Sequence, residues 1–532
     1  MNLPRTKMEI SSASTQRPMI IPSTVCGMRC GRIWTVLPIL LIDGGQMFFN
    51  DFIGMLLKAG SRQNMTTKQF LEKEIYYWVN SPERRLQLTG DAYYRQEQAI
   101  EYKQRTVIGE NGAVTTVHNL PNNRLADNRY AFLVDQKANY LLAKPVDARA
   151  GNEAAQDMVN DIFGPRFRRT LRAVGKDALN CGISYLFPYV DSAGELAFKR
   201  FHGYEILPFW KDQDHTALDA FLRMYPQEVY EGQTKKIVQR VEWYTLDGVQ
   251  KFIYEAGSLK PESTDIFPYV VINSGEGEPE ETKSFNWSRI PLIPFKLNSE
   301  EIPLIKRVKS LQDALNVMYS GYMDNMQEDP RNAILVLHNY DGQNMAEFRR
   351  NLATYGGVKV RDPGGVDVLA VPVNSENYQA IINLLKRAII ENGRGLDTKD
   401  DRLTAGNPNM MNIRSMYTDL DLDADDMELE FQASMADLMW FVNTFNSALG
   451  RPVTDVQFIF NRDTMVNESE VINDCRASVG IISQETIIAN HPWVKDSKKE
   501  LEQVQQEQAQ QMAAMDPYGG NEGWSKSNGT HG

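Results

Sequence analysis

Five acidic residues have the spacing most suggestive of chemistry. Asp419, Asp421, Asp423, Asp425 and Glu430 sit where the first, third, fifth, seventh and twelfth ligands of a calcium loop would sit. Such a loop needs glycine at its sixth position, where the chain turns sharply. Here that position is Ala424, a strong helix former, and an apolar helical stripe runs straight through the segment. On a helix, Asp419 and Asp423 face one way and Asp421 and Asp425 another, so they do not converge on one ion. The expectation is a solvated or inter-subunit acidic face. So many aspartates cost helix propensity, which a basic partner or a bend would offset. The alternative is a divalent metal acting on phosphate esters, which Asp421→Asn would abolish.

Other motifs fare worse. A phosphate loop would need glycine at Thr170 and a hydroxyl at Asp177 around Gly175-Lys176, and the segment has a helical pattern. There is no nucleophile elbow and no His-Glu-x-x-His. His118, His202, His215, His338, His491 and His531 show no ligand spacing. Cys181 and His202 could meet across one β layer, but a buried thiol and a surface imidazole is the simpler expectation. Cys26 and Cys30 lack two further zinc ligands at suitable spacing. The expectation is therefore no cofactor and no metal.

Composition narrows the class. The 532 residues are 42% hydrophobic and 24% charged, which excludes a wholly disordered chain. Four cysteines are too few for a disulfide scaffold and read as reduced thiols. A net charge of -12 excludes a surface built to grip nucleic acid tightly, yet suits one that lets it pass. The most apolar run, Ile33 to Ile42, is too short to span a bilayer and is broken by Pro38. Met47 opens a stretch that reads as a native start, so residues 1–46 are expected to be a non-native or disordered extension.

Periodicity places the elements. A helix is expected over Thr67 to Ser81, with Phe70, Leu71, Ile75, Trp78 and Val79 inward. A hairpin is expected about Gly109–Gly112. Helices follow in NNRLADNRYAFLVDQKANYLLAKPV and in FRRTLRAVGKDALNCG, the second closed by Gly182. Residues 180–275 read as a mostly antiparallel β layer. From Ile302 to Glu328, Leu304, Val308, Leu311, Leu315, Met318, Tyr322 and Met326 step by four and three, as in a long helix packed on another. Residues 331–374 read as a small α/β unit too small for a large core of its own, between that helix and a second in NYQAIINLLKRAIIENG. Leu396 to Asn412 is a flexible polar loop. A helix of about 55 Å follows from Ile413 to Leu449, then a strand, two short helices joined at Gly480, a Gln-rich helix and a disordered tail.

This order resembles the portal proteins of tailed bacteriophages, the head-to-tail connectors of the siphophage kind. The likeness is carried by NRYAFLVDQKANYLLAKPV, ALNCGISYLFPYVDSAGELAFKRFHGYEILPFW, RIPLIPFKLNSEEIPLIKRVKSLQDALN, EDPRNAILVLHNYDG and FNRDTMVNESEVIND, and covers roughly Met47 to Gln510. It implies an α+β protomer of a ring, usually dodecameric. Residues 47–300 with 412–465 would form a wing containing the long, continuous or kinked helix. Residues 302–329 and 375–394 would be the stem, 331–374 the clip, 396–411 a tunnel loop, 466–510 a helical crown and 511–532 a disordered tail. It further implies a channel for double-stranded DNA in packaging and ejection, with no catalysis and no membrane. The implied location is a capsid vertex of the virion, after assembly in the host bacterial cytoplasm. The implied partners are the terminase large subunit, major capsid and scaffolding proteins, and a head-completion (neck) protein. The clip would meet the motor through Arg349, Arg350, Lys359 and Arg361. In the loop, Asp397, Lys399, Asp400, Asp401 and Arg402 would become charged belts under ring symmetry. Leu304, Val308, Leu311, Leu315, Met318 and Tyr322 would pack the stem. A non-viral ring-forming scaffold shares the helix pattern without capsid or motor partners.

Overall fold

The computed structural model describes residues 65–515, except 109–111, 119, 152, 264, 275–280, 329–333, 339–347, 349, 351–353, 355–362, 370–373, 398–409, 452–454, 463–467 and 495–496. Residues 1–46, Met47 and the end of the chain after Met515 lie outside the described residues.

In chain order the helices are α1 (Thr67–Val79), α2 (Pro82–Tyr94), α3 (Arg129–Leu142), α4 (Glu153–Ile162), α5 (Pro165–Cys181), α6 (Ile305–Glu328), α7 (Ser375–Asn392), α8 (Met410–Ala448), α9 (Glu468–Ala477), α10 (Gln484–Ala489) and α11 (Ser497–Met515). The strands are β1 (Thr106–Ile108), β2 (Val114–Thr116), β3 (Asp147–Ala150), β4 (Ile183–Val190), β5 (Leu196–Phe201), β6 (Ile206–Trp210), β7 (Leu218–Glu231), β8 (Thr234–Thr245) and β9 (Gly248–Glu255). They continue with β10 (Ser258–Pro261), β11 (Val270–Ser274), β12 (Glu281–Phe285), β13 (Ile293–Lys296), β14 (Ile334–His338), β15 (Gly365–Leu369) and β16 (Val456–Ile459).

The expected helices are present, and α8 is one uninterrupted run of 39 residues, about 58 Å long. Helix α2 was not foreseen, although Ser81 caps it and Pro82 opens it. Strand β3 and helix α4 were missed too. Strand β3 is a short strand whose partner, β16, lies some three hundred residues on in the chain. The β layer is antiparallel throughout, but it is three sheets: β13-β4-β5, β10-β9-β8-β7-β6 and the pair β11-β12. The chain changes sheet after β5, where Gly203 lies against the Ile183 carbonyl. Strands β14 and β15 pair antiparallel, and Phe348, Arg350 and Thr354 are helical. The expected strand in GGVKVRD lies outside the described residues.

Helix α8 is the spine of the main core. Phe431, Met435, Leu438, Phe441, Val442 and Phe445 are buried along it, against Phe295 of β13, Trp287 and helices α3 to α6. Each such side chain contributes about 1.5–3 kcal/mol of burial. Gly175 of α5 lies so close to Leu142 that a Cβ there would collide with its methyl group and press on Met427, so α3, α5 and α8 meet at van der Waals distance. The near-match to a phosphate loop is thus a helix-packing glycine.

Gly182 ends α5 with φ 83°, and a Cβ on it would penetrate the Glu301 carbonyl oxygen. The Gly182 carbonyl also accepts from Leu297 N at 2.9 Å. Gly182→Ala is expected to destabilise by about 1–3 kcal/mol from backbone strain alone, with the collision added. A lowered thermal midpoint checks it, with Gly194→Ala, which meets nothing within 4 Å, as the strain-only control.

Candidate functional site

The first half of α6 follows the expected apolar stripe. Leu304, Val308 and Leu315 are buried, Leu311 and Met318 pack partly buried on the core, and the Tyr322 ring lies 5.1 Å from Tyr378 of α7. A second buried face along the same helix is polar. Gln312, Asn316, Ser320, Asp324 and Glu328 recur every four residues and are all buried.

This polar line reads the backbone of the segment leading into α3 and of the first residues of that helix. Gln312 Oε1 accepts from the N–H groups of Arg129 and Tyr130 at 3.0 and 3.1 Å. Asn316 Oδ1 accepts from Asp127 N at 3.0 Å, Ser320 Oγ from Leu125 N at 2.9 Å and Asp324 Oδ1 from Asn123 N at 2.6 Å. Every second residue of the segment thus meets every fourth residue of the helix. The two repeats match because four helical residues rise about 6 Å and two extended residues about 6.6 Å. Each buried N–H finds an acceptor, as burial demands.

The ladder ends in charge. Lys103 Nζ lies 2.5 Å from Asp324 Oδ2, and Arg105 donates to both Glu328 oxygens at 2.9 and 3.2 Å. Burial alone would raise the Asp324 carboxyl. The Asn123 N–H groups and Lys103 outweigh it and hold the carboxyl below its usual range.

A second cluster ties four helical segments together. Asp423 of α8 takes Lys137 of α3 at 2.8 Å, Arg307 of α6 at 2.8 and 3.0 Å, and Arg394, just past α7, at 2.8 Å. Burial pushes the Lys137 ammonium down, against the pull of Asp423. Burial would raise Asp423, but Lys137 and Arg307 hold it below the usual carboxylate range. Arg394 has φ 49°, unusual for a non-glycine residue. It is held at both ends, by its guanidinium on Asp423 and by Lys137 donating to its carbonyl at 2.9 Å. Gly393 and Gly395 flank it because a Cβ on either would strike Leu133 of α3. Gln136 then clamps the next residue, donating to the Leu396 carbonyl and accepting from Leu396 N, both at 2.8 Å. Leu396 is buried with Tyr140, Tyr417, Leu420 and Ala424.

The middle of the acidic run, Asp421 to Asp425, is therefore engaged by basic side chains of its own chain, while Asp419 and Glu430 carry no such contact among the described residues. Arg462 reaches Asp421 at 2.9 Å, Glu428 at 3.0 Å and also Asp425, while Tyr140 donates to Asp421 at 2.5 Å. Only Asp419 of the four aspartates is exposed without such a contact among the described residues. The partners were illegible because they come from α3, α6, the end of α7 and the residues after β16. No group of three or more His, Cys, Asp or Glu side chains able to hold a metal occurs among the described residues. Cys181 is buried, and burial pushes its thiol far up. His202 turns instead to Asp177, 2.9 Å away, and stacks on Tyr204.

Of the expected loop residues, Asp397 is half-buried beside Leu396, while Lys399, Asp400, Asp401 and Arg402 lie outside the described residues. Arg350 is exposed, and Arg349, Lys359 and Arg361 lie outside the described residues. No helix among the described residues is long and apolar enough to cross a membrane.

Comparison with known proteins gives a consistent result. The portal protein of Bacillus phage SPP1 is 29% identical over 441 residues, covering 80% of this chain and 84% of that protein. The portal protein of Clostridium phage phiCD119 is 27% identical over 437 residues, covering 77% of this chain and 92% of that one. A chain from the neck of an empty gene transfer agent particle aligns at a TM-score of 0.37 and 11% identity, over 67% of this chain and 88% of that one. The model of the phage portal proteins of the SPP1 Gp6-like kind matches residues 81–514, and the chain belongs to that family.

Proposed function

We propose that this phage portal protein is the repeating subunit of a dodecameric ring at one capsid vertex. Double-stranded DNA passes through its channel during packaging and ejection. The ring does no catalysis of its own and serves as the docking platform for the terminase large subunit, major capsid and scaffolding proteins and a neck protein. It assembles in the host bacterial cytoplasm and stays in the virion. Residues 47–300 with 412–465 form the wing, 302–329 and 375–394 the stem, 331–374 the clip, 396–411 the tunnel loop and 466–510 the crown.

The observation that carries the reading is the residual apolar face of the α6–α7 pair. Val317, Met323 and Met326 of α6 and Ile381 and Leu384 of α7 are 40–67% exposed, although both helices already pack on the body. In a head-to-tail ring that closes by rotation, each copy covers this face on its neighbour. The ionic cluster at Asp423 supports the same reading. It roots the start of the tunnel loop rigidly where α3, α6, α7 and α8 converge. A negative-stain image and native mass of the pure protein test the ring: an annular particle with a hole wide enough for a duplex is expected, and a compact monomer at high concentration refutes it.

The loop then contacts passing DNA through mobile backbone contacts without base readout. Replacing Lys399 and Arg402 together by alanine is expected to impair DNA packaging several-fold while rings still form. Unchanged packaging would remove the loop from the mechanism. The phosphoesterase reading is not favoured, because Asp421, Asp423 and Asp425 already engage basic side chains of the same chain.

A further inference from the structure

The described surface holds two charged features of opposite sign, each uncompensated within its own copy. The first is on α5. Arg166, Arg168, Arg169 and Arg172 are all exposed, and none has an ion-pair partner among the described residues. Among the described residues Arg172 bonds only the side-chain amide oxygen of Asn139. Arg166 and Arg168 stand in the first turn of the helix, where there is no acidic residue and no side-chain cap. Positive charge there opposes the helix dipole, a small unfavourable term in the lone protomer.

The second is a cavity of about 620 Å³ where β13, the 213–216 loop and α8 meet. Its wall carries Asp214, Glu300, Glu430 and Asp437. Asp214, Glu300 and Glu430 have no ion pair among the described residues, and Asp437 has only Arg289 at 3.8 Å. Burial pushes the Asp437 carboxyl up. The cavity is a built feature. His215 and Glu301 hold one wall at φ 56° and 54°, with His215 Nδ1 2.7 Å from Glu301 Oε1 and Lys296 3.2 Å from the same oxygen.

The two features flank opposite edges of one sheet, ordered β13-β4-β5. The cavity opens at β13, and the start of α5 packs at β5, where the Phe167 ring meets Phe198 at 5.6 Å. Resting on the ring reading above, we infer that the α5 arginines of one copy enter the acidic cavity of the next copy, head to tail. Two different patches at separate places on the protomer suit a heterologous, head-to-tail contact. Guanidinium groups pair bidentately with carboxylates, which suits a mixed wall of Asp and Glu. Copies that each carry -12 would otherwise repel one another in a closed ring.

The test is a charge swap in the full chain, read by native mass and sedimentation. Arg166→Glu with Arg169→Glu, and separately Glu300→Arg with Glu430→Arg, are each expected to reduce the ring fraction at least ten-fold at low salt. All four changes in one chain restore complementarity and are expected to recover rings. Circular dichroism melts of the monomer fraction check that each variant folds. Should a variant fail to fold, salt titration of the wild-type rings decides instead, with dissociation expected as ionic strength rises. Rings that resist salt would overturn the inference. So would arginine variants that ring normally but lose retention of duplex DNA, which would place α5 against nucleic acid. So would single variants without rings that the swap fails to rescue. A wild-type chain that forms no ring at any salt would sink the ring reading itself, a result separate from these.

Discussion

Replacing Asp423 by alanine is expected to lower stability by about 3–5 kcal/mol. The reason is the positive charge left behind. Lys137 is buried, with only 4% of its side chain exposed, and Asp423 is its only carboxylate partner among the described residues. Arg307 and Arg394 are partly exposed, at 33% and 41%, so water screens their share and they add less. An isolated buried ammonium must be desolvated without compensation or give up its proton. Replacing both buried partners with apolar residues, Lys137→Met with Asp423→Leu, is expected to recover much of the loss, since two well-packed apolar side chains often match a buried pair. Chemical denaturation of the three proteins checks both statements. A single Asp423→Ala variant within 1 kcal/mol of wild type would show that the cluster does not hold the four segments together. The same variant also frees Arg394, whose left-handed backbone is retained by contacts from Asp423 and Lys137, so faster proteolysis near residues 394–397 is expected.

Asp324→Leu is the second large effect, with an expected loss of about 3–4 kcal/mol. The side chain is fully buried and accepts from Asn123 N at 2.6 Å, Asn123 Nδ2 at 2.7 Å and Lys103 Nζ at 2.5 Å. Leucine leaves all three donors without that acceptor. Asp324→Asn keeps one oxygen for the backbone N–H and loses the charge toward Lys103, so about half the penalty is expected.

The same residue predicts a pH response. Its folded-state carboxyl is held below its ordinary value, so the unfolded chain takes up the proton first. The stabilisation is therefore complete above a pH of about 4. It falls away as the pH drops through the depressed folded-state value. Asp423 adds a response of the same sign in the same range. Acid denaturation of wild type and Asp324→Asn, compared between pH 7 and 3, should show a shallower loss in the variant. Parallel curves would mean that the carboxyl is not depressed.

Much of the chain could be read without its structure. Helices α1, α3, α5, α6, α7 and α8 carry their apolar residues at three- and four-residue intervals over several turns, and that regularity survives in a linear string. Gly182 and Gly450 mark helix ends for reasons of backbone geometry that the residue type alone conveys. The order of elements was enough to find the family.

What the string could not convey was pairing at a distance. The polar line Gln312, Asn316, Ser320, Asp324 has the same four-residue period as an exposed face, and only the segment at 123–130 makes it a buried one. The aspartates of α8 looked unpaired because Lys137, Arg307, Arg394 and Arg462 are scattered over more than three hundred positions. Local periodicity follows from the geometry of one helix or strand and is written along the chain. Which charge meets which, and which polar face is covered, depends on chain segments brought together only by folding, and that was decided by the tertiary structure.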